Sequence, residues 1–168
     1  TNLSEGYRYE AGKYVPGGFE YVHAYPAGGL TSTTNDMARL IMAQLGSPLV
    51  EPEEVLDEED VVAEEQVEEE TLEARGILQA ETLATMQTRQ FTGHSAIPGM
   101  TYGLIEMEYN GYRVLSHGGD TFLFSTGLYF LPEEDIGLYV AYNAAVGDLA
   151  RRTVLAAFMD RYFPLDTS

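Results

Sequence analysis

Residues 105–142, IEMEYNGYRVLSHGGDTFLFSTGLYFLPEEDIGLYVAY, decide the fold of this 168-residue chain. Apolar and acidic residues alternate over 105–108, which is the period of a half-buried strand. The Asn110-Gly111 pair that follows is the strongest short signal for a β-hairpin. We therefore predict a strand before this pair and a returning strand over Tyr112–Ser116.

The same stretch contains two further strands. Ser125–Leu131 and Ile136–Tyr142 are rich in aromatic and branched residues, and Pro132–Asp135 between them is typical of a turn. Links this short join neighbouring antiparallel strands, so we predict an antiparallel meander.

Helical patterns flank this sheet on both sides of the sequence. Thr33 and Asp36 have the spacing of a helix cap, and the helix they begin should end near Gly46 and Pro48. A second helix is predicted over Leu78–Thr88. A third, over Asp148–Tyr162, should turn five apolar residues to the sheet: Leu149, Val154, Ala157, Phe158 and Phe163. The predicted class is α+β, an antiparallel meander sheet with flanking helices.

The segment His117-Gly118-Gly119-Asp120 has the features of a functional strand. Two glycines after a polar residue let a ligand approach the backbone amides, because no Cβ stands in the way. A lone histidine is more often a surface or core residue, and His94 and His23 have no other sign of function. The three scattered histidines lack the spacing of a zinc site, so no metal or cofactor is expected.

Composition narrows the possible partners. The chain has no cysteine and a net charge of −18, from 27 acids against 9 bases. So few cations disfavour binding to nucleic acid or to an anionic membrane surface, and no apolar run approaches a membrane span. The acidic balance also favours a source that lives in high salt, where the charge repulsion is screened.

Nearly half of the acids lie in one stretch. Residues 51–75 carry 13 of the 27 acids, and we interpret residues 47–75 as an acidic, flexible insertion. An acidic arm that binds cations or a partner is the alternative.

Many short segments of the chain, in this order and spacing, resemble the serine β-lactamase-like family, which includes class C β-lactamases, penicillin-binding proteins and related esterases and peptidases. The segments are Pro26–Leu30, Ser32-Thr33, Asp36–Arg39, Arg75–Leu78, Glu81–Leu83, Tyr102–Leu104, His117–Thr121, Phe124-Ser125, Leu131–Glu133, Gly137-Leu138, Asn143 and Asp160–Pro164. The resemblance covers almost the whole chain outside residues 47–73, and it identifies residues 1–168 as the C-terminal part of one β-lactamase-like domain.

The resemblance implies a site between the sheet and a helical region. A Ser-x-x-Lys helix supplies the nucleophile in this family, a Tyr-x-Asn motif faces it, and a Lys/His-x-Gly strand closes the site. His117 would orient the substrate and join the proton network, and the backbone N–H of Asp120 would donate to the oxyanion. Gly118 and Gly119 would let the substrate pair along the strand edge.

Two family motifs are absent from these 168 residues. Three positions before Lys13, the only lysine, stands Glu10, and no asparagine has tyrosine two positions before it. Both motifs lie earlier in the family than the segments matched here, so we expect this chain to begin after them. It should need the missing N-terminal half of the same fold as a partner, and it should be inactive alone. Phe122 and Leu123 replace a small or turn-forming pair of the family, which bears on the pocket wall.

Two hypotheses for function remain open. In the first, the chain is the C-terminal part of a serine hydrolase that acts on a small-molecule or peptide amide or ester through an acyl-enzyme. In the second, it is a non-catalytic binding module with the same fold. The resemblance further implies a place outside the cell or at its surface.

Overall fold

The computed structural model describes residues 3–47, 77–144 and 147–165. The predicted acidic insertion falls almost entirely outside these ranges. The described elements, in chain order, are β1 (Gly6–Glu10), β2 (Lys13–Gly18), α1 (Tyr25–Gly28), α2 (Thr34–Gln44), α3 (Ala80–Gln87), β3 (Ile105–Tyr109), β4 (Tyr112–Asp120), β5 (Ser125–Leu131), β6 (Ile136–Tyr142) and α4 (Gly147–Tyr162).

The predicted meander is confirmed. Strands β3, β4, β5 and β6 form one antiparallel sheet in sequence order. Asn110 and Gly111 turn the first hairpin with φ of 53° and 86°, the left-handed values that this dipeptide adopts readily. Strand β4 is longer than predicted, since it continues past Ser116 and includes the whole His117–Asp120 segment.

Helix α4 covers one face of the sheet. Its buried stripe is Arg151, Leu155 and Met159, and Phe163 follows just after the helix. The prediction that Phe158 and Phe163 face the sheet is confirmed, because both pack in the core with Val114, Tyr129 and Leu131. The prediction for the other three residues was wrong: Leu149, Val154 and Ala157 are exposed. The hydrophobic pattern missed the phase of the helix because one position of the buried stripe is a charged arginine.

Helix α2 lies on the opposite face. Ile41 packs on Leu115 and Phe130, and it also fills the space that a Cβ on Gly137 would need. The predicted cap is confirmed, since the Thr33 hydroxyl accepts a hydrogen bond from the amide of Asp36 at 3.1 Å. The sheet therefore separates an α4 face from an α2 face.

The hairpin β1–β2 is attached just beyond the C-terminal end of β6, at Asn143. The amide of Tyr7 donates to the carbonyl of Asn143 at 2.8 Å, and the Asn143 side chain donates back to the carbonyl of Glu5 at 2.8 Å. These reciprocal bonds bring the hairpin next to the turn that joins β4 to β5.

A buried carboxylate fixes the start of the sheet. The Glu106 side chain on β3 is only 3% exposed, and it accepts from Arg89, from Arg113 at 2.9 Å and from the amide of Gly99 at 2.9 Å. Burial alone would raise the pKa of Glu106, but these hydrogen bonds outweigh it and lower the pKa below its ordinary value of 4.5.

Replacing this carboxylate should destabilise the protein. Glu106→Gln keeps the shape but removes the charge that two arginines share. We expect a loss of about 1–3 kcal/mol in the free energy of unfolding, below the usual cost of breaking a buried pair because both arginines are partly exposed. Glu108→Gln, an exposed position on the same strand, is the matched control and should change stability by less than about 0.5 kcal/mol. Urea denaturation measures both, and equal effects would contradict the assignment.

The lowered pKa gives this contribution a definite pH dependence. The folded protein holds the Glu106 proton less tightly than the unfolded chain, so the stabilisation is complete above pH 4.5 and is lost as pH falls through the folded pKa. The stability gap between wild type and Glu106→Gln should therefore narrow as the pH falls below about 4.5. A gap that stays constant over this range would contradict the ionised, paired state of Glu106.

Candidate active site

A groove of about 680 Å³ lies on the α2 face of the sheet, beside the end of β4. All four residues of the predicted functional strand, His117 to Asp120, line it. Apolar side chains contribute most of the remaining wall, including Leu30, Met37, Leu40, Leu104, Phe124, Leu128 and Phe130.

Strand alternation separates the side chains of the His-Gly-Gly-Asp segment. Odd-numbered residues of β4 face the groove, so the exposed imidazole of His117 lies on this side with the open face of Gly119. Even-numbered residues face α4, where the hydroxyl of Ser116 donates to the carbonyl of Ile105 at 3.2 Å. His117 and Ser116 therefore do not meet.

Beyond Ser116, β4 has a free edge in the described part of the chain. Strand β3 begins at Ile105, which pairs with Ser116, so no residue of β3 lies opposite Gly118 or Asp120. On its other side β4 remains paired with β5 through Asp120. The segment is thus a strand that is held on one edge and open on the other.

The direction of the amides along this edge follows from the ladder. The amide of Thr121 donates toward β5, to the carbonyl of Phe124 at 2.8 Å. Successive amides of a strand point to opposite sides, so the amides of Gly118 and Asp120 point away from β5. The register at the start of β4 gives the same direction. Tyr109 and Tyr112 close the two-residue hairpin as a hydrogen-bonded pair, so the even-numbered amides of β4 point to the β3 side. Both amides therefore point into the free edge beside the groove.

Each glycine of the pair leaves room for a different neighbour. A Cβ on Gly119 would lie 2.9 Å from the hydroxyl of Thr126, and a Cβ on Gly118 would collide with the guanidinium of Arg151. The first contact is on the groove face and the second is on the α4 face. The sequence indicated close approach by a ligand, and it gave no sign that Arg151 also approaches.

The carboxylate of Asp120 is bonded on the α4 side of the sheet. It accepts from the hydroxyl of Ser125 at 2.6 Å and from Arg151 at 2.7 Å. Its side chain is therefore engaged behind the strand, while its amide points along the open edge.

The turn after Asp120 is held by the β1–β2 hairpin and by the loop that follows β2. The carboxylate of Glu20 accepts from the amide of Leu123 at 2.9 Å and from the hydroxyl of Thr121. Leu123 is 3% exposed, and its side chain lies where a Cβ on Gly6 or Gly17 would come within 2.6 Å. Phe122, at 88% exposure, extends into solvent. Neither residue lines the groove, so the replacement noted in the sequence shapes the turn, and Phe124 is the residue of this turn that contributes an aromatic side chain to the wall.

The groove offers little charge. Among the described residues that line it there is no lysine or arginine, and the ionisable side chains are those of His117, Asp120 and two tyrosines. Burial raises the pKa of Tyr139 on the groove floor, so its phenol stays neutral. Within the described ranges no group of three histidine, cysteine or acidic side chains is arranged to hold a metal ion, and no helix there has the length and apolar character to span a membrane.

Truncating Leu123 should loosen the turn that follows the site. Leu123→Ala empties the space between Gly6 and Gly17, and we expect a loss of about 2–4 kcal/mol in the free energy of unfolding. The neighbouring Phe122→Ala is the matched control and should cost less than about 0.5 kcal/mol, because Phe122 is exposed. Thermal or urea unfolding distinguishes the two, and a comparable loss in both variants would contradict the buried position of Leu123.

Comparison with known proteins adds three findings. The family model described as Beta-lactamase matches residues 3–158. A solved structure, the octameric penicillin-binding protein homologue from Pyrococcus abyssi, is similar over 92% of this chain with a TM-score of 0.55 and 20% sequence identity. The match spans 31% of that protein's chain, and the likeness concerns the fold. Among curated proteins, none matches the sequence.

Proposed function

The chain belongs to the Beta-lactamase family, and from this premise we propose that it is the C-terminal part of a serine hydrolase that acts on an amide or ester through an acyl-enzyme. The family supports a fold of the serine hydrolase type. The observation that carries the proposal is the free edge of β4, where the amides of Gly118 and Asp120 point beside a groove that His117 faces.

Each residue of the strand has a role in this proposal. The amide of Asp120 donates to the oxygen that becomes negative when a serine attacks the carbonyl, and the amide of the nucleophile itself is the second donor. Such donors are effective because they are fixed before the charge develops. His117 orients the substrate and exchanges protons with the reacting groups. Gly118 and Gly119 allow the substrate backbone to lie along the edge.

The nucleophile comes from outside these 168 residues. The sequence contains no Ser-x-x-Lys and no Tyr-x-Asn, so we propose that the N-terminal half of the same fold supplies both motifs and that this chain alone is inactive. Two features support a missing partner of this kind. In the described residues no strand pairs along the outer edge of β6, where β1 makes contact only beyond Tyr142, and several large apolar side chains near the groove, such as Leu30 and Tyr25, are more than three quarters exposed.

The lining of the groove favours an apolar acyl group or peptide side chain. The described wall is mainly aliphatic and aromatic and contains no lysine or arginine to pair with a carboxylate. We therefore favour a peptidase or esterase over a true β-lactamase. The strongly acidic composition supports a protein that works in high salt, where repulsion between acids is screened.

A non-catalytic module is the second candidate. The free edge of β4 favours it, because such an edge is suited to bind an extended peptide by strand addition, and loss of Ser-x-x-Lys from the N-terminal half would support it further. In that case the groove would bind a peptide or cell-wall fragment without cleaving it.

A serine-reactive fluorophosphonate distinguishes the two candidates. We expect it to label the protein that carries this chain together with its N-terminal half, and we expect no labelling of the 168-residue chain alone. His117→Ala should slow labelling about 100-fold by removing the proton-transfer group. His94→Ala, an exposed histidine in a loop, is the matched control and should label at the wild-type rate.

The opposite results have clear meanings. A folded protein with both halves that does not label would favour the binding module, and peptide binding measured by calorimetry would then support it. Turnover by the isolated 168-residue chain would contradict the proposed origin of the nucleophile. Equal labelling rates for the two histidine variants would remove His117 from the reaction.

A further inference from the structure

Arg151 is the one charged residue in the buried stripe of α4. It is 8% exposed and lies between Gly147 and Leu155 on the face of the helix that meets the sheet. A buried guanidinium costs desolvation energy unless every part of it is paired. The groups that pair with the Arg151 guanidinium therefore indicate its role.

The guanidinium joins α4 to both strands that border the site. Nη2 donates to the carboxylate of Asp120 at 2.7 Å, and Nη1 donates to the carbonyl of Thr126 on β5. Nε and Nη2 also donate to the carboxylate of Asp148, at 3.1 and 2.7 Å. Asp148 lies one turn earlier on α4, and hydrogen bonds from Arg151 and Arg152 lower its pKa, so it stays ionised.

The contact with β4 is made from directly behind the open edge. Gly118 has no Cβ, and the guanidinium occupies the space that a Cβ would take. Asp120 is the last residue of β4, and Arg151 and Ser125 together hold its carboxylate. The free edge gives this residue no partner strand on the β3 side within the described chain. Its backbone is therefore held by the pairing with β5 on one side and, through its side chain, by Arg151 and Ser125.

We propose that Arg151 is a positioning residue that holds the backbone amide of Asp120 as an oxyanion donor, acting through the Asp120 carboxylate from the back of the sheet. This inference rests on the proposed serine hydrolase function. Arg151 touches no substrate, since Gly118 and Asp120 separate it from the groove.

If this proposal is correct, replacing Arg151 should reduce catalysis more than it reduces stability. Removing one partner of a buried ion pair is costly for stability when the remaining charge stays buried, and the cost is smaller when water can reach that charge. Methionine at 151 would match Leu155 and Met159 in the same stripe, and the freed carboxylates of Asp120 and Asp148 are almost half exposed, so water can solvate them. The main loss should then be the fixed position of the strand end.

The test compares Arg151→Met with Arg152→Met in the protein that carries both halves of the fold. Arg152 is the matched control because it is on the same helix, also pairs with Asp148, and its side chain is 71% exposed. With an activated ester, Arg151→Met should lower kcat about tenfold or more and change KM less than about threefold, since a displaced donor weakens the transition state and spares ground-state binding. Arg152→Met should stay within about twofold of wild type.

Two further variants connect the effect to Asp120. Arg151→Lys should recover only part of kcat, because one ammonium cannot reach Asp120, Asp148 and the Thr126 carbonyl together. Asp120→Asn should also lower kcat, and the double variant with Arg151→Met should be little worse than either single variant. Additive losses would overturn action through Asp120. A change in KM without a change in kcat would overturn the positioning role of Arg151. A kcat loss that parallels a loss of stability in urea would also overturn it.

Amide hydrogen exchange of the peptide over residues 115–124 tests the inference without any need for catalytic activity. Exchange there should speed up in Arg151→Met and stay at the wild-type rate in Arg152→Met. If wild type fails to react with the phosphonate, the proposed hydrolase function fails, and faster exchange would still support the hold of Arg151 on the strand. Unchanged exchange in Arg151→Met would overturn the inference in either case.

Discussion

The unequal length of β3 and β4 is the constraint on which the rest of the structure depends. A sheet strand satisfies its backbone groups by pairing on both sides, and β4 gives up one side after Ser116. The four residues beyond that point are the ones that line the groove. Because the amides of Gly118 and Asp120 have no described partner strand, a ligand backbone or an oxyanion can take the hydrogen bonds that β3 leaves unmade.

An open strand end containing two glycines is intrinsically weak, and the surrounding contacts compensate for it. Each glycine loses about 0.5–1 kcal/mol relative to alanine through the entropy of ordering. Arg151 and Ser125 hold Asp120 from behind, Leu123 packs on the β1–β2 hairpin, and Glu20 in the loop after β2 accepts hydrogen bonds from the turn. On the neighbouring strand, Glu106 with its two arginines fixes the start of β3, where β4 loses its partner. The site is thus supported from two sides by charged groups.

The sequence predicted the meander well because local chemistry determines it. Asn110-Gly111 and Pro132–Asp135 set the turns, and the β5 and β6 bounds agree with the prediction. It failed where a charged side chain is buried by long-range pairing. Arg151 shifted the face of α4, and the glycine pocket for Leu123 joins residues more than 100 positions apart in sequence, so no local pattern could indicate either. The His-Gly-Gly-Asp strand was identified from its glycines, whereas the apolar wall required the tertiary fold.

The division of side chains about β4 explains how one short segment can serve both stability and recognition. Even-numbered residues face α4 and form the supporting network, and odd-numbered residues face the groove and are free to meet a ligand. Both sets of side chains share one backbone. The contacts of the Asp120 carboxylate on the α4 face therefore fix the position of the Asp120 amide at the free edge. A family fold can therefore change the groove-facing residues while keeping the support, provided that the residue opposite the helix remains a glycine where the guanidinium packs.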